Sequence, residues 1–542
     1  MQTSRRAFLA SAAATAVALR GAKLLTAQTS AEASITVLAD EPIATIAPEV
    51  QGHFIEQLGG VVYDGVWVGK NSKIPNVTGI RKDFIDTLRA VNAPVLRWPG
   101  GCFADSYDWR DGIGPKRPQR TAFWKQEDAN QYGTHEFMHT CRAIGCEPYL
   151  AADLRSLPAR DFYQWVEYCN APAGIGNDLA AQRSANGDKE PFNVKYWGVG
   201  NESWGCGGDQ TPEEYAGEYR RFANWLPTYP QVQTSLVACG PNGDDIDWSR
   251  RLAAGLRGHL PWGLSTHYYT SGDPAKFAAG EAIDFTLPQF YDLLARASIM
   301  DRVITDAWSA FGENDKNHHT KLVIDEWGAW YGDSTRLAPK YNLSQQITLR
   351  DALHSGITFD IFHRHADKIG MANVAQSINC LHSLMLAQDD KFVRTPVFHV
   401  FRLYMAHQGG TSLRTEVVAP SIQNTIAQTS PVGGASTVGS TAAQKTLSGL
   451  SASASRKGNT LTLSVTNPHH DRPLTTTISF PGLGMRSASA EVLTHTDIHA
   501  HNTFAEPNNV TRKPATVAAI ANSTLTHTFP AASITTISFS IA

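Results

Sequence analysis

Short apolar runs alternate along most of the chain with stretches whose apolar residues recur at spacings of three and four. The runs are Val50–Glu56, Pro94–Trp98, Pro148–Asp153, Val194–Glu202, Ser235–Gly240, Leu264–Tyr269, Leu322–Glu326 and Met371–Ile378, each of strand length. Helix-spaced patterns lie between most of them: Arg81–Asn92, His135–Ile144, Asp161–Asn170, Glu213–Leu226, Trp248–Leu256 and Ile347–Ile361. Thr211-Pro212-Glu213-Glu214 is a helix start, with a capping hydroxyl, Pro in the first turn and acids at the positive end. Eight strand–helix repeats over about 330 residues predict an α/β fold, a (β/α)8 TIM barrel across 50–400. A doubly wound dinucleotide fold would place a Gly-rich phosphate loop after the first strand. The chain has Glu56-Gln57-Leu58-Gly59-Gly60 there instead, which does not match.

The pattern changes after about residue 400, the usual size of a barrel having been used up. Thr460–Val465, Thr475–Phe480 and Ala532–Ile541 alternate with period two and are rich in Thr, Ser and Val. They predict a C-terminal antiparallel β-sandwich over 401–542. Segment 28–49, with Ile35-Thr36-Val37-Leu38, is expected to add a strand to it. Residues 417–455 hold no aromatic and a single charge, Lys445, and are expected to form a mobile surface insertion.

Composition refines this outline. The 542 residues carry a net charge of −3, with 18 % charged and 42 % hydrophobic residues, so there is no basic excess suited to nucleic acid or an acidic membrane surface. All Trp lie between Trp67 and Trp330, inside the barrel region, where rings can stack on sugars. The seven Cys are odd in number and show no metal-type clustering; mostly reduced, buried thiols are expected. At the N-terminus, Ser4-Arg5-Arg6-Ala7-Phe8-Leu9 precedes a weakly apolar run too short to anchor in a bilayer. This layout predicts a twin-arginine export signal over 1–27, cleaved near Ala27, and a periplasmic or extracellular protein.

Two glutamates carry the chemistry. Glu202 ends Tyr196-Trp197-Gly198-Val199-Gly200-Asn201-Glu202 and Glu326 ends Leu322-Val323-Ile324-Asp325-Glu326. Acids at the ends of buried strands are poorly placed for packing and well placed for catalysis at a barrel mouth. Two of them suit a retaining glycosidase, in which one carboxylic acid protonates the leaving oxygen and the other carboxylate attacks the anomeric carbon. Arg97, closing the second strand, is suited to keep Glu326 ionised. Asn201 offers an uncharged amide to a sugar hydroxyl. A competing motif is His135-Glu136-Phe137-Met138-His139, a literal H-E-x-x-H. Arg142 and Gly145 stand where the longer zinc-protease pattern wants Gly and His. Phe137, Met138, Cys141 and Ile144 make a packing stripe on the same helix, so packing is the preferred reading.

Gly52-His53-Phe54-Ile55-Glu56, Arg97-Trp98-Pro99-Gly100-Gly101-Cys102-Phe103, Trp109–Pro115, Gly198–Glu202 and Asp325-Glu326-Trp327 resemble, in residues and in order, the α-L-arabinofuranosidases of glycoside hydrolase family 51. The resemblance spans about 45–410 and implies a clan A barrel with its acid/base on strand four and its nucleophile on strand seven. It implies Glu202 as acid/base and Glu326 as nucleophile. Glu56, Asn201 and Gln376 would bind arabinose hydroxyls, Tyr269 would hydrogen-bond the nucleophile, and Trp124 and Trp330 would wall the pocket. Cys102 stands where many members have Asn, and a thiol does not replace an amide as donor and acceptor. The implied activity is release of terminal arabinofuranosyl groups from arabinan, arabinoxylan or their oligosaccharides, with no metal or other cofactor. A homo-oligomer, hexamer or smaller, is also implied. Related barrels with the same acid pair cleave xylosides or β-glucans, so that alternative stays open. A non-catalytic polysaccharide binder would have no need of both acids.

Overall fold

The computed structural model describes residues 31–542 apart from 274–278, 333–340, 427–444 and 522. The expected export signal therefore lies outside the described residues. Eight parallel strands close into a barrel in chain order: Gly52–Phe54, Val95–Trp98, Glu147–Ala152, Tyr196–Val199, Ser235–Ala238, Gly263–Ser271, Lys321–Trp330 and Ile369–Val374. The last pairs with the first through Asn373 and Gly52. Gly52 is needed at this closure, because an added Cβ would collide with the Asn373 side chain and Val95.

The lower barrel is filled by Val95, Tyr149, Tyr196, Val237, Val323 and Met371. Around it, helices Lys82–Ala90, Thr134–Ile144, Ala159–Asn170, Pro212–Ala223, Ile246–Gly255 and Leu349–Arg364 bury their apolar stripes against the strands. Most of the predicted helices match these within a few residues. Trp98, Trp109, Trp165, Trp197 and Trp327 are fully buried. Much of the Trp content therefore serves packing and not sugar stacking, a correction to the compositional expectation.

The second unit is a nine-stranded sheet, ordered Lys513–Ala515, Met485–Thr494, Ser533–Ile541, Thr460–Asn467, Ser451–Lys457, Thr411–Val418, Ala33–Thr45, Leu474–Ser479 and Thr524–Phe529. Ala33–Thr45 sits between Thr411–Val418 and Leu474–Ser479, so the N-terminal segment does enter this sheet. Its pairing with Leu474–Ser479 is parallel, the exception in an otherwise antiparallel sheet. Phe480, directly after Leu474–Ser479, and Phe539, in Ser533–Ile541, come from places far apart in this order, yet their rings meet at 4.8 Å. The sheet therefore folds over a shared core that includes Ile35, Leu463, Ile478 and Ile537. Part of the predicted insertion is regular structure: Ser421–Gln423 pairs with Thr446–Ser448, and Ser451–Lys457 belongs to the sheet. The centre of that stretch, 427–444, lies outside the described residues.

Helix Leu349–Arg364 joins the two units and is buried along nearly its whole length. Its polar residues are met by the sheet. Asp360 accepts hydrogen bonds from Ser453 (2.8 Å) and Tyr404 (2.9 Å), and His363 pairs with Ser453 at 3.0 Å. His407 lies between Ser455 (2.8 Å) and Ser464 (2.9 Å). Burial lowers the pKa of His53, His382 and His407 to about 3, and burial also depresses His354 and His363. On unfolding these imidazoles regain ordinary proton affinity, so stability is intact above about pH 6.5 and falls as pH drops toward 3. Asp360 and Glu56, raised by burial to about 6 and about 8, act in the opposite sense, as do the raised Asp105, Asp153, Asp244 and His267. His399, His469 and His527 join the lowered imidazoles, which remain the larger group. Thermal unfolding should therefore move several degrees lower between pH 7.5 and pH 5; an unchanged midpoint would exclude this contribution.

Candidate active site

The carboxyl ends of the barrel strands converge on Glu202 and Glu326. Strand pairing runs Thr266 to Ile324 and then His267 to Glu326, so Lys321–Trp330 carries one extra residue at Asp325. In a regular strand, neighbouring side chains point to opposite faces; a bulge removes that alternation. Asp325 and Glu326 consequently both reach Arg97, at 3.4 and 2.7 Å. Arg97 is buried, donates a second hydrogen bond to the Asn201 amide oxygen at 2.7 Å and lies against the Phe54 ring. Asp325 is itself held by Tyr149 (2.9 Å) and Asn373 (2.9 Å). Three strands thereby fix one guanidinium.

Both oxygens of Glu326 are oriented. Oε1 accepts from Arg97 and Oε2 from the Tyr269 hydroxyl at 2.6 Å. Burial favours the neutral acid, but the charges of His267 and Arg97, with the Tyr269 hydrogen bond, hold the Glu326 pKa below its usual value. This side chain is therefore an ionised, aimed carboxylate. Trp330 meets the Tyr269 ring edge-on at 5.1 Å.

Glu202 occupies a different setting. Gly200 has φ 79° and Glu202 φ 42°, so the chain turns sharply out of its strand at Gly200-Asn201-Glu202. The turn is tied down by buried Asp105, which accepts the backbone N–H of Asn201 at 3.1 Å and of Leu154 at 3.0 Å. Oε1 of Glu202 meets His267 Nδ1 at 2.9 Å, and the same nitrogen lies 3.6 Å from Glu326 Oε2. One oxygen of each glutamate and this imidazole nitrogen all lie within 4.8 Å of one another. Burial opposes charge on His267, but Glu326 and Glu202 outweigh it and raise its pKa. The Glu202 side chain is 19 % exposed against 8 % for Glu326, so the more accessible carboxyl is the one that can meet a leaving group and then water.

A third carboxyl completes the floor. Glu56 accepts from the Phe103 N–H (3.1 Å) and the Gln376 amide (3.0 Å), while Gln376 returns its oxygen to the Glu56 N–H at 2.9 Å. Burial and then the Glu326 charge raise the Glu56 pKa to about 8. A protonated Glu56 can donate as well as accept at neutral pH. Gly101 makes room for it, since an added Cβ would stand 2.5 Å from Oε1.

Glu56, Arg97, Asn201, Glu202, Tyr269, Glu326, Trp330 and Gln376 thus form one linked set. Trp124 does not join it directly. It sits in the turn between Arg120–Thr121 and Glu127–Asp128, edge-on to Phe123. Among the described residues, no hydrogen bond or ring contact ties it to the glutamates. Cys102 is at the site but offers no thiol, because it is bonded to Cys206; both sulfurs face Glu202 Oε2, at 3.7 and 3.4 Å. The expectation of mostly reduced thiols holds for Cys141, Cys146, Cys169, Cys239 and Cys380 and fails for this pair. The cysteines stand 104 residues apart, a separation that carries no pairing signal. Sequence reasoning also missed His267, Asp325 and Asp105. His267 was within reach, being two residues before Tyr269 and hence on the same strand face. The H-E-x-x-H residues serve a charge cluster elsewhere: His135 and His139 both contact Asp188, at 2.7 and 2.9 Å, and Glu136 pairs with Arg117.

Two family models match, the α-L-arabinofuranosidase 1 domain over 87–279 and the α-L-arabinofuranosidase C-terminal domain over 325–533. An intracellular exo-α-L-arabinofuranosidase of Bacteroides ovatus is 36 % identical across 95 % of this chain and 96 % of its own length. The crystal structure of the family 51 arabinofuranosidase from Xanthomonas axonopodis pv. citri superposes with TM-score 0.86 at 34 % identity, covering 94 % of this chain and all of that one. The α-L-arabinofuranosidase of Thermotoga maritima, solved as an arabinose complex, gives 0.79 at 27 % identity, with 93 % and 99 % covered. With its paired glutamates on strands four and seven, the chain belongs to the α-L-arabinofuranosidases of glycoside hydrolase family 51.

Proposed function

We propose that the protein is an exo-acting, retaining α-L-arabinofuranosidase that removes terminal arabinofuranosyl groups from arabinan, arabinoxylan or their oligosaccharides. The observation that carries the mechanism is the clustering of Glu202, His267 and Glu326 oxygen and nitrogen atoms within 4.8 Å. Carboxyl groups ~5–5.5 Å apart perform double displacement, whereas inverting pairs stand ~6.5–9.5 Å apart to admit a water between them. In the first step a Glu326 oxygen bonds to the anomeric carbon as the glycosidic bond breaks, and the Glu202 proton passes to the departing oxygen. In the second, Glu202 takes a proton from water, the resulting hydroxide oxygen bonds to the anomeric carbon, and Glu326 leaves as carboxylate. Protonated Glu56 with Gln376, and Asn201, are suited to hold the sugar hydroxyls. Their strengthening hydrogen bonds would favour the charged transition state over the bound substrate.

Release of 4-nitrophenol from α-L-arabinofuranoside, β-D-xyloside and β-D-glucoside substrates tests the sugar assignment. The arabinofuranoside is expected to exceed the others in kcat/KM by about 100-fold or more, since a site built on buried polar groups rejects sugars that leave them unpaired. Equal or greater activity on the xyloside would replace this reading with the xylosidase one. We also propose export of the folded chain through the Ser4-Arg5-Arg6 segment, a route compatible with a disulfide beside the catalytic acid. Replacing Arg5 and Arg6 with Lys should retain the protein in the cytoplasmic fraction; unchanged export would remove that proposal.

A further inference from the structure

Cys102, Cys206 and Glu202 bring two sulfurs and a carboxylate oxygen together at the most chemically exposed point of the site. The donors come from two loops, one after the second barrel strand and one after the fourth, and both loops are anchored. Asp105, three residues beyond Cys102, receives the Asn201 N–H, and Gly205 and Gly207 both donate to the Glu202 carbonyl. We propose that these three side chains form a redox-gated site for one soft divalent cation of the zinc type, closed by the disulfide and opened by its reduction.

The geometry favours chelation. A tetrahedral zinc ion with Zn–S of ~2.3 Å and Zn–O of ~2.0–2.2 Å separates a sulfur from an oxygen ligand by about 3.5–3.7 Å. The two sulfurs already lie 3.4 and 3.7 Å from Glu202 Oε2. Only the sulfur–sulfur separation must widen, to about 3.8 Å in the same tetrahedron. With the Cα atoms 5.6 Å apart, side-chain rotation supplies that change. Glu202 is supported from behind, because His267 Nδ1 holds Oε1 at 2.9 Å and leaves Oε2 for the ion. This outer hydrogen bond is the kind that orients metal-binding carboxylates. The fourth tetrahedral position remains for water. The neighbouring trio of Glu202, His267 and Glu326 is a poorer site, since both Glu326 oxygens are taken by Tyr269 and by the Arg97 cation.

Gating follows from sulfur chemistry. A disulfide sulfur lacks the anionic character that makes a thiolate a ligand. A dithiol reductant delivers two electrons and two protons to the Cys102–Cys206 bond, yielding two thiols, and is itself oxidised to a cyclic disulfide. Binding of the cation then displaces the two thiol protons to solvent. The ion occupies the carboxylate assigned above as acid/base, so hydrolysis stops. That consequence rests on the proposed role of Glu202, whereas the binding itself does not.

The test is a cadmium titration of the full chain, untreated and after reduction by a dithiol that is then removed under anaerobic conditions. The reduced protein should bind one Cd2+ with an ultraviolet sulfur-to-metal charge-transfer band, and lose at least about tenfold in arabinofuranosidase activity, recovered with a chelator. The untreated protein should show neither change. Cys206→Ser should abolish the band, and Glu202→Gln should keep it while weakening affinity by at least about tenfold. Absence of the band in the reduced protein, or its survival in Cys206→Ser, would overturn the site. A Glu202→Gln protein that binds as tightly as the parent would remove the carboxylate from it. If the band forms with full activity retained, the metal site stands, and the acid role of Glu202 is what fails.

Discussion

Glu326→Ala is expected to lower kcat by about 10⁴–10⁶-fold on natural and aryl arabinofuranosides alike, the scale of losing a catalytic nucleophile. No nearby group is suited to take over. Tyr269 is neutral, burial raising its pKa well above the usual value, and Glu56 keeps the burial that is the largest cause of its raised pKa. Arg97 keeps Asp325 and Asn201 as partners, so the variant should fold, and an unchanged circular dichroism spectrum would verify that. The emptied carboxylate position also admits a small anion. Azide should restore turnover of an activated substrate and yield the β-configured arabinofuranosyl azide, because a single displacement from the opposite face replaces two. Activity within about tenfold of the parent would place the nucleophile elsewhere.

Glu202→Ala should discriminate between substrates. An alkoxide leaving group needs its proton as the bond breaks, and general acid catalysis contributes typically about 10²–10⁴-fold. Arabino-oligosaccharides should therefore lose about that much, while the bond-breaking step of a 4-nitrophenyl substrate should lose far less. Azide should again accelerate turnover of the activated substrate, now by attacking the glycosyl-enzyme and giving the α-azide. The opposite anomers from the two variants would distinguish the roles independently of rate. Equal losses in bond cleavage for both substrate types would contradict the acid assignment.

The barrel was legible because each strand carries a continuous apolar run and the intervening helices keep a strict face. The same logic made Glu202 and Glu326 conspicuous, since a charge closing a buried strand has no packing role. Arg97 was visible for that reason too, and the structure places it against Glu326 at 2.7 Å. What stayed hidden depends on three-dimensional neighbours. The bulge at Asp325 makes two adjacent acids face one cation, whereas strict alternation would have turned one of them away. The Cys102–Cys206 bond spans two βα loops whose approach is set by the whole barrel, so residue spacing could not announce it. The flanks of the predicted insertion turned out regular for a different reason. Ser451–Lys457 is poor in large apolar residues, yet it lies between two sheet neighbours and packs Ala452 and Ala454 where small side chains fit.

The most direct measurement is the anomeric configuration of the first product formed when the enzyme transfers arabinofuranose to methanol, followed by proton NMR before any secondary exchange. With two carboxylates close enough to act in sequence on one carbon, the product should be methyl α-L-arabinofuranoside. A β-configured product would mean a single displacement by solvent, and Glu326 could not then be the nucleophile.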